Sequence, residues 1–119
     1  MKFTDGYWNI PEGVSLFNAV EFCDANVGDS TLTVYAACKP VLHRGDTLKS
    51  PLLTFTFSTP IDDVIRVQVC HFAGGLSKGP EFIIQEDSNH RAQTVENETC
   101  LYLRSGKLEM RIYKGKTCK

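Results

Sequence analysis

Apolar residues recur at every second position along much of this chain. Residues 52–58 (LLTFTFS) set Leu53, Phe55 and Phe57 on one face and Thr54, Thr56 and Ser58 on the other. That period of two marks a half-buried strand. Residues 64–72 (VIRVQVCHF) repeat it, with Ile65, Val67 and Val69 opposed to Arg66, Gln68 and Cys70. A turn from Thr59-Pro60 through Asp62 and Asp63 joins the two runs and predicts an antiparallel pair with one exposed face. Leu101 and Leu103 alternate with Tyr102 and Arg104. Leu108, Met110 and Ile112 alternate with Glu109, Arg111 and Tyr113. Ser105-Gly106 between them signals a hairpin.

Earlier in the chain, residues 31–38 (TLTVYAAC) are rich in β-branched types and predict a strand. Residues 14–26 are expected to open with its hairpin partner, joined through Gly28-Asp29-Ser30. Gly there tolerates positive φ, and Asp and Ser bond their own backbone. Residues 81–85 (EFIIQ) predict one further short strand. Residues 39–51, broken by Pro40, Gly45 and Pro51, read as an extended connector, and Gly74 to Pro80 as a loop. Residues 86–98 are the most polar stretch and read as a mobile loop. No long segment holds a helical period with caps. The chain has no internal repeat and no low-complexity tract. Short strands at turn-bounded spacing predict an all-β, antiparallel β-sandwich.

Composition bounds the picture. A chain of 119 residues fits one domain, and folding should remove roughly 65% of its unfolded surface from water. Hydrophobic residues at 42% and charged residues at 23% exclude a disordered chain. Fourteen acidic against thirteen basic residues leave a charge of -1, too little to build a field for phosphate backbones, so no nucleic acid partner is expected. The local basic excess (Lys107, Arg111, Lys114, Lys116, Lys119) reads as a solvated strand face. The opening MKFTDGYW has no apolar run for a signal peptide, and no stretch suits a membrane span. The five cysteines (Cys23, Cys38, Cys70, Cys100, Cys118) are odd in number and lack C-x-x-C spacing. The first four lie in strand-like runs and read as buried reduced thiols, which fits a cytoplasmic protein. The sequon Asn97-Glu98-Thr99 then carries no meaning.

Candidate chemistry is sparse. A hydrolase needs a nucleophile beside a base, or two carboxyl groups flanking a bond. Asp62-Asp63 read as turn residues, and Glu96 and Glu98 as solvated loop residues. The densest polar cluster is His43-Arg44-Gly45-Asp46. His43, Arg44 and Asp46 are the weak candidates for a binding site, against the plainer reading of an Arg–Asp pair pinning the connector. His71 reads as a partly buried, satisfied side chain and His90 as unpartnered. The three histidines have no metal-ligand spacing, and neither metal nor cofactor is expected. Gly74-Gly75 with Lys78-Gly79-Pro80 lacks the spacing of a phosphate loop and any following helix. Phe3, Tyr7 and Trp8 could stack on a sugar, or pack the N-terminal arm.

Five blocks in order carry a resemblance: MKFTDGYW from Met1; HRGDTL from His43, followed by PLLT from Pro51; VIRV from Val64; HFAGG from His71; and KGPEF from Lys78. Across residues 1–82 the chain resembles α-xylosidases of glycoside hydrolase family 31, and residues 83–119 match only in strand pattern. The resemblance implies the galactose mutarotase-like, N-terminal β-sandwich domain that precedes a catalytic (β/α)8 barrel. That family removes terminal α-xylosyl or α-glucosyl residues with retention, through a covalent intermediate made by two carboxyl groups about 5–5.5 Å apart. The motif carrying the nucleophile is absent from these 119 residues, so the resemblance transfers no catalytic residue. It implies that residues 1–119 are a non-catalytic fragment of a larger enzyme. The partners implied are the barrel of the same polypeptide and an α-xylosyl or α-glucosyl oligosaccharide, with a loop lent to the substrate pocket. Cys23, Cys38, Cys70 and the polar stretch 86–98 depart from the family pattern. Ending just after a hairpin whose apolar face needs a partner sheet, such a fragment would expose apolar surface or a strand edge and form a homo-oligomer. The alternative is a free-standing carbohydrate-binding or oligomerisation module.

Overall fold

The computed structural model describes residues 10, 12–48, 50–72, 74–75, 82–87 and 89–115. Seven strands follow in order: β1 (Glu21–Val27), β2 (Thr31–Ala37), β3 (Leu52–Ser58), β4 (Arg66–Cys70), β5 (Gln93–Glu96), β6 (Cys100–Ser105) and β7 (Leu108–Tyr113). The only helical element among the described residues is a single 3-10 turn at Arg44–Thr47. Two antiparallel sheets result, in the orders β1-β2-β3-β4 and β5-β6-β7. The fold is all-β, as the alternation predicts.

The registers explain the core. Leu32 lies opposite Phe57, Val34 opposite Phe55, and Ala25 opposite Val34, so one face of the first sheet carries all of them. Leu101 and Leu103 face that row from β6, flanked by Ile112 and Met110 of β7. Leu32, Leu101 and Leu103 are fully buried, and each contributes roughly 1.5–3 kcal/mol by leaving water. The Phe55 and Phe57 rings stack with centroids 6.2 Å apart.

Several expectations need correction. The strand expected within residues 14–26 is confined to Glu21–Val27; Val14, Leu16 and Phe17 are exposed and lie outside it. Gly28 sits in the expected turn, its N–H bonded to Thr31 O at 2.8 Å. Its φ is not positive, however. A Cβ there would meet Thr31 Oγ1 at 2.7 Å, so crowding selects the glycine. The connector 39–51 is not wholly extended, because it contains the 3-10 turn. No strand forms over 82–87. The polar stretch 86–98 holds β5, and Ala92 just before it is a core residue at 6% exposure. Only Cys100 is a buried thiol; Cys23 and Cys70 are exposed and Cys38 is half-buried, while Cys118 lies outside the described residues.

Turns tie the two sheets together. Thr94 Oγ1 donates to Gly28 O at 2.9 Å, joining β5 to the β1–β2 turn. At the other end, Asp63 Oδ1 accepts the Lys107 N–H at 2.5 Å, and Pro60 O accepts the Asp87 N–H at 2.8 Å. Ser105, 1% exposed, donates to Ile61 O at 3.3 Å.

Candidate functional site

The connector after β2 places His43, Arg44 and Asp46 on the 3-10 turn. Asp46 Oδ2 accepts the backbone N–H groups of Leu42 and His43 at 3.0 and 3.2 Å. Its Oδ1 stands 3.5 Å from His43 Nε2. The Arg–Asp pair expected from the sequence does not form: the partner of Asp46 is His43, and Arg44 makes no ion pair among the described residues. The reason is geometric. Residues i and i+3 of a 3-10 turn eclipse one another, whereas i and i+2 diverge. Asp46 is thus a turn-capping group with both oxygens engaged.

Beside this turn lies an open hollow of about 400 Å3, lined by Phe22, Cys23, Ala37, Lys39, Asp46 and Leu52 among others. Of the three candidate residues only Asp46 lines it. Its walls are held by Val41 N donating to Glu21 Oε2 at 2.7 Å and by Lys39 Nζ donating to Leu48 O at 2.9 Å. A β-bulge between Phe22 and Asp24 turns Cys23 toward it.

The richer polar cluster is on the outer face of the second sheet. The β6–β7 register sets Arg104 opposite Glu109 and Tyr102 opposite Arg111. Glu109 accepts from Arg104 through Oε2 and from Arg111 Nε through Oε1 at 2.6 Å. The Arg111 guanidinium lies 5.6 Å from the Tyr102 ring centroid, within cation–π range. Gln93 and Val95 of β5 complete an open hollow of about 260 Å3. Arg104, then Arg111, hold the Glu109 carboxyl below its ordinary value, and Glu109 in turn raises Arg111. A hydrogen bond with Cys100 is the main cause raising the Tyr102 hydroxyl. A general acid needs its carboxyl raised, so Glu109 is tuned the opposite way. Sequence reading named the alternating residues here but not their pairing. The signal was available: a hairpin turning at Ser105-Gly106 forces Arg104 and Glu109 to face each other.

The remaining candidates disperse. Asp63 is a turn residue, as expected. Glu96 is not a free loop carboxylate but pairs from β5 with Lys114 Nζ at 2.5 Å. On the expected solvated basic face Lys107 and Arg111 are exposed, Arg111 while paired with Glu109, and Lys114 is half-buried in its ion pair; Lys116 and Lys119 lie outside the described residues. His71 is exposed rather than partly buried. His90 is not unpartnered: its Nε2 lies 3.2 Å from Ser105 Oγ. Ser105 is too buried to act as a nucleophile, and its own proton goes to Ile61 O. Among the described residues no three His, Cys, Asp or Glu side chains gather as metal ligands. No described helix is long and apolar enough to cross a membrane. Phe3, Tyr7, Trp8 and Lys78-Gly79-Pro80 lie outside the described residues.

No family model matches the chain. It is 34% identical over 112 residues to an α-xylosidase of Emericella nidulans, which covers 94% of this chain and 14% of that protein. The α-xylosidase XylQ of Lactiplantibacillus pentosus gives the same identity and the same coverage. The likeness therefore runs past residue 82, beyond the motif blocks and into residues expected to match only in strand pattern. Over nearly its whole length, then, this all-β chain is similar to a segment of α-xylosidases, and it spans about one seventh of the length of the relatives it matches.

Proposed function

We propose that the chain is the non-catalytic, N-terminal β-sandwich domain of a retaining α-xylosidase or α-glucosidase-like hydrolase of glycoside hydrolase family 31. In that role it supports the catalytic barrel of the same polypeptide and lends a loop to the pocket where a terminal α-xylosyl residue is removed. The observation that carries the reading is the 34% identity over 94% of the chain to two proteins named as α-xylosidases. The state of the carboxylates supports it. Glycoside hydrolysis with retention needs one carboxyl as nucleophile and one as acid, about 5–5.5 Å apart. Here Asp46 caps a turn, Asp63 ties two turns, Glu96 pairs with Lys114, and Glu109 is clamped by two arginines. Each serves the fold. The connector 39–51 is our choice for the lent loop, because it lines the hollow beside Asp46. Free thiols at Cys23, Cys38, Cys70 and Cys100 support a reducing, cytoplasmic setting.

A domain exchange tests this reading. XylQ carrying this chain in place of its own matched segment should hydrolyse α-xylosides with retention. XylQ lacking the segment should not. An exchanged protein that unfolds cooperatively like XylQ yet has no activity would contradict the proposal.

A further inference from the structure

Three of the four sheet edges carry some guard against edge-to-edge association. β1 has the bulge and the carboxylates Glu21 and Asp24. β5 is only four residues long, with Glu96 paired to Lys114. β7 carries Glu109 and Arg111. The fourth edge, β4, pairs among the described residues on one side only, in unbroken register with β3, and contains no Pro, Lys or carboxylate, its one charge being Arg66 at its start. Val67 lies opposite Phe57 and Val69 opposite Phe55, so both valines share the apolar face of the sheet. Each is nevertheless 54% exposed, and among the described elements β4 packs broadly against β3 alone. The edge thus offers unpaired backbone groups beside an apolar row.

We propose that β4 is a self-association edge and that its occupant is a second copy of this chain, paired antiparallel about a twofold axis at Gln68. The sequence Arg66-Val67-Gln68-Val69-Cys70 is self-complementary in that register. Each Val67 meets the Val69 of the other copy, each Arg66 meets a Cys70, and Gln68 meets itself. The arginines fall at opposite ends of the ladder, so no like charges oppose one another. Every contact is made twice, as an isologous interface requires. The two four-stranded sheets become one continuous sheet, with four valines joining the apolar row of Phe55 and Phe57. The two copies of Cys70 are kept apart, so association does not depend on oxidation.

Sedimentation velocity of the 119-residue chain under reducing conditions, across a wide concentration range, tests this. A monomer–dimer equilibrium is expected. Val67→Lys and Val69→Lys should each weaken it about tenfold or more, since Lys on an edge strand opposes pairing. Cooperative unfolding checks that the variants fold. Hydrogen exchange on the unsubstituted chain gives a second readout: β4 amides should slow as concentration rises. A chain that stays monomeric, as it would if the edge takes a strand of another polypeptide, overturns the proposal. So does a dimer indifferent to both lysines, or β4 exchange that does not change as the dimer forms.

Discussion

Asp63 and Lys107, 44 positions apart in sequence, are joined by a 2.5 Å hydrogen bond from the Lys107 N–H to Asp63 Oδ1. Asp63 holds φ 59°, the left-handed region that Asp tolerates better than most residues. The bond ties the β3–β4 turn of one sheet to the β6–β7 turn of the other. Asp63→Ala should remove the acceptor and strain the backbone, costing about 2 kcal/mol in urea unfolding. Asp63→Asn keeps both an acceptor and left-handed tolerance and should cost about half as much or less. Equal losses for the two variants would show that the bond contributes nothing.

Gly106 faces Asp63 from the other turn, at φ 57°. A Cβ at this position would collide with carboxylate oxygens of Asp62 and Asp63. Gly106→Ala should therefore destabilise by about 2 kcal/mol or more, from left-handed strain plus displacement of the Asp63 turn. The midpoint of thermal unfolding reads this directly. Pairing Gly106→Ala with Asp63→Ala should cost less than the sum of the two, because both break the same contact.

These contacts show where sequence reading stops. The alternation in 52–58 gave β3 to the residue, and 108–113 gave β7, because each strand has one face in the core and one outside it. β5 escaped because Gln93–Glu96 holds a single large apolar residue, and its strand form comes from pairing with β6 rather than from its own pattern. The 3-10 turn escaped because four residues are too few to show a period. Asp46 was legible as part of a cluster, but its partners were not: a local turn decides them. The missed cluster at Glu109 needed the exact hairpin register. The thiols at Cys23 and Cys70 were misplaced because alternation in a bulged strand or an edge strand does not fix which side is covered.

Leu103 is fully buried at the centre of the second sheet and packs toward Leu32 and Phe57. Leu103→Ala should cost about 2–5 kcal/mol by lost burial and the cavity left behind. That is a large share of the stability of a domain this size, so partial unfolding at room temperature is expected. A loss below about 1 kcal/mol in chemical denaturation would mean that the two sheets do not enclose Leu103.

The Glu109 clamp makes stability depend on acid. The folded-state carboxyl lies below its ordinary value of 4.5 because Arg104 and Arg111 favour the ionised form. The stabilisation is therefore complete above pH 4.5 and is lost as pH falls through the depressed folded value. Glu109→Gln should lower the unfolding temperature slightly at neutral pH and have a shrinking effect as pH falls below that range. Thermal unfolding of both proteins from neutral to acid pH checks the sign. A gap that widens on acidification would contradict it.

The most direct measurement is turnover of p-nitrophenyl α-xyloside by the 119-residue chain, with cooperative unfolding confirming that it is folded. On the proposed reading the acid and the nucleophile belong to the catalytic barrel, and Asp46, Asp63, Glu96 and Glu109 are engaged in turns and ion pairs here, so nitrophenol release should not exceed the uncatalysed rate. Sustained turnover by the folded chain, lost on substitution of Asp46 or Glu109, would contradict the account.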